Sequence, residues 1–236
     1  MSVSVTDIRI PTPKGHTLGA TRFTKDHPQK TLVISSATGV LQRYYADFAT
    51  YLAEHGYAVY TFDYHGIGKS DSEIQLLKQN TSNAADWGSN DQASLLVYAK
   101  AQHPNNKLYL LTHSIGGQIL GFNANIDLVD KMVLVSAQSG YWKYYKGWVN
   151  LPKMLLFWYA MIPGLTSLYG YFPAKKLGLF ENLPKPMALQ WMRWGKHPEY
   201  MLGHHRHDEL YFNTIECPVL GLGFPRDVYA PKAATD

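Results

Sequence analysis

The ten residues 108–117, L-Y-L-L-T-H-S-I-G-G, constrain the fold of this chain more than any other stretch. Leu108-Tyr109-Leu110-Leu111 is a short apolar run of the kind that forms a buried strand. The chain then turns abruptly through Thr112-His113-Ser114-Ile115-Gly116-Gly117. It continues as Gln118-Ile119-Leu120-Gly121-Phe122, which is expected to run on as a helix. A serine at a sharp corner between strand and helix has its hydroxyl held clear of the sheet. The helix N-terminus behind it turns backbone N–H groups toward developing negative charge. Small residues two before and two after the serine let strand and helix pass closely. Gly116 meets that need, but Thr112 stands where the pattern G-x-S-x-G has glycine. Taken alone, the stretch reads equally as a serine-containing turn that caps a helix.

The surrounding segments supply a sheet for that corner. Residues 3–10 and 16–23 alternate apolar and polar around Pro11-Thr12-Pro13-Lys14-Gly15, which predicts an antiparallel hairpin at a sheet edge. Thr31-Leu32-Val33-Ile34-Ser35 is a buried-type strand, followed by a loop of small residues, Ser36-Ala37-Thr38-Gly39-Val40. Residues 44–55 have helical spacing, with Tyr45, Phe48, Ala49 and Leu52 on one face and Gly56 as the stop. Ala58-Val59-Tyr60-Thr61-Phe62 is the next strand. Strand, helix, strand at this spacing is a βαβ unit and predicts a parallel sheet. Residues 71–90 are polar and irregular, 91–102 resume as a helix, 131–136 form a further strand, and 218–224 return to strand. The expected division is a core of residues 1–136 and 216–236, with the aromatic, proline-punctuated residues 137–215 inserted as a helical lid.

Several function classes are excluded. Net charge is +4 with acids and bases interspersed, not the basic stripe of a nucleic-acid binder. Gly66-Ile67-Gly68-Lys69-Ser70 ends like a phosphate-binding loop, but Asp63 stands where that motif requires glycine. The single cysteine, Cys217, is assigned to packing and fits a reducing, cytoplasmic location; the N-terminus has no secretory pattern. Residues 154–172 carry no charge and approach the length of a membrane span, yet Pro163-Gly164 and many tyrosines favour packed helices, or a surface that docks on lipid. His204, His205, His207, Asp208 and Glu209 cluster without the spacing of a closed zinc set and read as a solvated turn.

Four motifs in order carry a family resemblance. They are Ser36-Ala37-Thr38-Gly39, where His-Gly-x-Gly is frequent; Asp63-Tyr64-His65-Gly66-Ile67-Gly68-Lys69-Ser70, close to D-x-R-G-x-G-x-S; the Ser114 corner; and Asp227-Val228-Tyr229-Ala230-Pro231. Through them the chain resembles the α/β-hydrolase superfamily, of the serine-hydrolase type with an inserted lid, near the monoglyceride lipases and lysophospholipase-like enzymes. The resemblance implies an α/β fold with a mostly parallel, doubly wound sheet and a helical cap. It implies Ser114 as nucleophile, Asp227 as triad acid, and the N–H groups of Thr38 and Ile115 as the oxyanion hole, with no cofactor or metal. Both Ser114 and Asp227 follow strands, and ligand sites in open α/β sheets lie at the carboxyl ends of strands.

In that family the catalytic histidine follows one more helix and strand beyond the acid. Nine residues follow Asp227, so the expectation is a sheet lacking its last strand and helix, without that histidine. His65 is the better substitute base; His113 neighbours the nucleophile, but side chains diverge at a turn. The leading expectation is cleavage of an ester or related acyl bond of an apolar substrate through an acyl-enzyme on Ser114. Cofactor-free haloperoxidase or perhydrolase chemistry is a weaker variant. The alternative is an inactive protein that keeps the fold and binds a hydrophobic ligand or partner. Expected partners are a small apolar ester, a lipid surface touched peripherally by the lid, and a second copy paired through the exposed sheet edge.

Overall fold

The structure is a computed structural model that describes residues 2–235. Its strands are β1 (Ser4–Pro11), β2 (Thr17–Thr24), β3 (Lys30–Ser35), β4 (Tyr57–Phe62), β5 (Lys107–His113), β6 (Lys131–Val135), the short pair β7 (Tyr171–Phe172) and β8 (Leu183–Pro184), and β9 (Val219–Leu222). Seven of them form one sheet in the order β1-β2-β4-β3-β5-β6-β9. The hairpin of β1 and β2 and its junction with β4 are antiparallel; every pairing from β4 through β9 is parallel. The expected α/β fold with a mostly parallel, doubly wound sheet is therefore present.

Period-two alternation within β3 explains why the sheet is covered on both faces. Leu32 and Ile34 point to one side and pack with Phe23, Tyr45, Ala49 and Val59 against α1 (Ala46–Glu54). Val33 points to the other, into the larger core with Tyr60, Leu95, Leu108 and Leu110. The chain steps from β3 out to β4 on one side and returns to β5 on the other. That reversal leaves a crevice beyond the carboxyl ends of β3 and β5, where open α/β sheets hold their ligands.

Between β4 and β5 the polar stretch is more regular than its composition suggests. It contains α2 (Ile74–Gln79) and α3 (Ala84–Asp86). A reciprocal cap starts α3: Asp86 N donates to Asn83 Oδ1 at 3.0 Å and Asn83 N to Asp86 Oδ2 at 2.9 Å. The helix runs on through a wide π turn, Trp87–Gln92, into α4 (Ala93–Gln102). That turn buries three successive polar residues, Asn90, Asp91 and Gln92.

Two expected helices differ in detail. A 3-10 turn, Gln42–Tyr45, precedes α1, and the buried face runs through Tyr45, Ala49 and Ala53 while Phe48 faces solvent. After the serine corner, α5 (Ile115–Gln118) lasts four residues and tightens into a 3-10 turn, Ile119–Phe122. Its glycines are pressed against neighbours there; a side chain at Gly121 would collide with the Phe212 ring.

Residues 137–215, between β6 and β9, form α6 (Asn150–Leu156), a π turn Phe157–Met161, α7 (Ile162–Tyr169) and α8 (Lys185–Lys196), with short 3-10 turns. Trp158, Phe172 and Trp194 from this segment are buried in the same core as Trp87 and Phe122. Among the described residues no helix is long and apolar enough to cross a membrane. Beyond β9 comes α9 (Lys232–Thr235). The β9 residues are solvent-exposed, with β6 as their sheet neighbour.

Candidate active site

Ser114 stands directly beyond β5 with φ 51° and ψ −113°, in the left-handed half of backbone space that side chains avoid. Three contacts hold it there. Ser114 N donates to Val135 O at 2.9 Å, and Gly117 N and Gln118 N both donate to Ser114 O. The turn bonds begin at Gly117, so the N–H groups of Ile115 and Gly116 stand at the head of the turn. Gly116 is required because a Cβ would lie 2.7 Å from Ser35 O of β3. Thr112 is accommodated by its opposite number: a Cβ on Gly117 would lie 2.9 Å from Thr112 Oγ1. The glycine missing before the serine is thus offset by one after it.

The loop after β3 approaches the same corner. Thr38 is buried and its Oγ1 has no hydrogen-bond partner among the described residues. The loop is fixed by Tyr45, whose hydroxyl accepts from Ala37 N at 3.1 Å and shares a 2.9 Å hydrogen bond with His113 Nδ1. Burial pushes the Tyr45 phenol up to about 12 and holds the His113 imidazole below the ordinary histidine range, so both are neutral at pH 7. Gln92 ties the two loops together from beneath. Its Nε2 donates to Ser35 Oγ at 2.8 Å and to Gly116 O at 3.0 Å, while its Oε1 accepts from Asn123 Nδ2.

Asp227 lies beyond β9 and is drawn toward the corner through Ser136, the residue after β6. Ser136 Oγ donates to Asp227 Oδ2 at 2.9 Å, and Tyr229 N and Ala230 N donate to Asp227 Oδ1. The carboxylate's charge is felt at His113. Gln138 closes the circuit: Ser114 Oγ donates to Gln138 Oε1 at 3.3 Å, and Gln138 Nε2 donates to Tyr229 O at 3.1 Å. Ser114, Asp227, Thr38 and Ile115 are therefore gathered at the ends of β3, β5, β6 and β9. Tyr45, Gln92 and Gln138 are contributors that no sequence pattern singled out. A hollow of about 400 Å³ borders the corner, lined by Gly117, Gln118, Leu134, Gln138, Tyr200 and Phe212.

The other candidates are engaged elsewhere. His65 stacks on His16 at 3.7 Å and shares a 2.7 Å hydrogen bond with Ser82 Oγ. Its amide donates to the buried Asp91, which also pairs with His16. The phosphate-loop mimic is filled from within, since Asp63 accepts from Lys69 N, Gln42 N and Gln42 Nε2. His204 contacts Arg193 O while His205 packs on Phe122 and Trp194; no cluster among the described residues could hold a metal ion.

A mostly parallel sheet of this strand order, with a strained serine at the switch point, defines an α/β hydrolase. The chain belongs to the serine aminopeptidase S33 family, whose profile matches residues 26–173. Its fold is similar to an esterase, Pf2001, from Pyrococcus furiosus, at 17% identity and TM-score 0.57 over 98% of this chain and 74% of that one. It is similar also to an α/β hydrolase, GrgF, from a Penicillium species, at 17% identity and TM-score 0.58 over 97% and 82%. A third is a thermostable carboxyl esterase from Bacillus coagulans in complex with glycerol, at 17% identity and TM-score 0.52 over 71% and 55%. The chain spans between 45% and 63% of the length of several solved structures it matches. No curated protein matches it.

Proposed function

We propose that this chain is a serine hydrolase acting on a carboxylic ester or related acyl bond, with Ser114 as nucleophile. The observation that carries the reading is the strained backbone of Ser114 at the head of α5. Such strain persists only where the surroundings impose it, and it aims the hydroxyl away from the sheet. Ser114 Oγ attacks the acyl carbonyl, forming the C–O bond of an acyl-enzyme as the alcohol leaves with a proton. Water then attacks the same carbon and releases the acid. The negative oxygen of each tetrahedral step is received by the N–H groups of Ile115 and Thr38. Asp227, held beside the corner by Ser136, has the role of the acid of the constellation, whose part is to orient a base. Residues 137–215 act as a lid, and their aromatic side chains beside the hollow at Gln138 suit an apolar acyl group.

One observation favours a second reading, binding of an apolar ligand without turnover. Ser114 Oγ donates to Gln138, an amide too weakly basic to accept its proton. Among the described residues no imidazole hydrogen-bonds Ser114 Oγ or the Asp227 carboxylate. Labelling by a fluorophosphonate probe, with Ser114→Ala as control, tests the nucleophile, and equal labelling of both proteins overturns it. Turnover of a p-nitrophenyl ester by the same preparation separates the two readings.

A further inference from the structure

We propose that the outer face of residues 148–168 docks on an anionic lipid surface. The first observation is a helical run whose outer stripe is apolar like its inner one. From α6 through the π turn to α7, the inner residues Trp158, Ile162 and Thr166 are buried. The outer stripe, at helical spacing, should be polar if it faced only water. Instead it presents Leu156, Tyr159, Ala160, Gly164 and Leu168, all exposed, with Leu168 at 74%. Trp148, just before α6, is 90% exposed, beside the exposed Val149. A tryptophan at the end of an apolar helical stripe matches the chemistry of a lipid headgroup boundary.

The second observation is charge. Residues 131–198 contain nine bases (Lys131, Lys143, Lys146, Lys153, Lys175, Lys176, Lys185, Arg193 and Lys196) and one acid, Glu181. The whole chain has 22 bases against 18 acids, so the remainder carries 13 against 17. Glu181 is itself paired with Lys175. Two of these ammonium groups lie beside the stripe: Lys196 sits 4.4 Å over the Tyr159 ring, and Lys176 4.6 Å over Tyr169. Lysines at the rim of an apolar face favour acidic headgroups below it.

Charge also selects among occupants. Two copies facing each other would oppose lysine to lysine, which disfavours self-association through this face. A nucleic acid would satisfy the lysines but leave Leu156 and Leu168 against a polar backbone.

The test is co-flotation of the full chain with vesicles of phosphatidylcholine, alone or mixed with phosphatidylserine. Preferential flotation with the acidic vesicles, weakened by salt, is expected. Replacing Lys143, Lys146 and Lys153 by Gln should lower partitioning about fivefold per lysine. Trp148→Ser with Leu168→Ser should abolish flotation while leaving the thermal melt unchanged. Equal partitioning of wild type and both variants overturns the proposal. So does a dimer in light scattering that these substitutions disperse, or binding to single-stranded DNA that survives Trp148→Ser.

Discussion

Ser114 and Gln138 are joined in the resting site: the hydroxyl donates to Gln138 Oε1 at 3.3 Å, and the same amide donates through Nε2 to Tyr229 O. The bond spends the serine's proton on an acceptor that cannot keep it. Gln138→Ala is therefore expected to raise the rate of fluorophosphonate labelling about fivefold, the worth of one ordinary hydrogen bond. Labelling kinetics at equal probe concentration check this, and an unchanged rate would mean the bond exerts no hold on the nucleophile.

Ser114→Gly separates stability from chemistry. A positive φ of 51° costs a serine what glycine is spared. The variant should be more stable than wild type by about 1 kcal/mol, the lower end for such strain, and should lose labelling altogether. Urea denaturation gives the first quantity and the probe the second. A destabilised variant would show that the hydroxyl, not the backbone, sets the stability of the corner.

Tyr45→Phe removes the link between the loop after β3 and His113. Ala37 N and His113 Nδ1 both lose their partner. A cost of about 1–3 kcal/mol is expected, because a buried donor is left unpaired. Labelling should slow as well, since the neighbouring Thr38 N–H is no longer held in place. Normal labelling in a destabilised variant would confine Tyr45 to a packing role.

Stability should fall as the solution is acidified. Burial holds His65 below its ordinary value of 6.5, helped by the charge of His16, and burial does the same for His113. The unfolded chain takes up these protons as pH drops through 6.5, whereas the folded chain resists until lower pH. Folding is thus fully supported above pH 6.5 and weakened progressively below it. Urea midpoints measured on both sides of that value check the trend, and His65→Gln should reduce its slope.

The fold was legible where one periodicity rules a segment. The hairpin of β1 and β2 and the β3–α1–β4 unit follow from alternation and helical spacing, and the convergence of Ser114 with Asp227 follows from parallel topology. What stayed hidden depends on distant partners. Phe48 faces solvent because the buried face of α1 is centred on Ala49 and Ala53, and apolar spacing alone does not reveal which of two adjacent apolar residues turns inward. Thr112 looked like a flaw in the serine motif until Gly117 was seen opposite it. Gln92 and Gln138 belong to no motif. Gln92 meets Ser35 across 57 positions of sequence, and Gln138 meets Ser114 across 24.

The π turn at Trp87–Gln92 carries a consequence for how the gene can vary. Three consecutive side chains face inward there: Asn90 and Asp91 secure His16, and Gln92 secures Ser35 and Gly116. An ordinary α-helix advances a third of a circle less a little with each residue and would turn at least one of them outward. A point replacement in this segment removes one of these contacts and leaves the turn itself in place. A single-codon deletion removes more, because it would rewind the helix and detach the hairpin and the serine corner together.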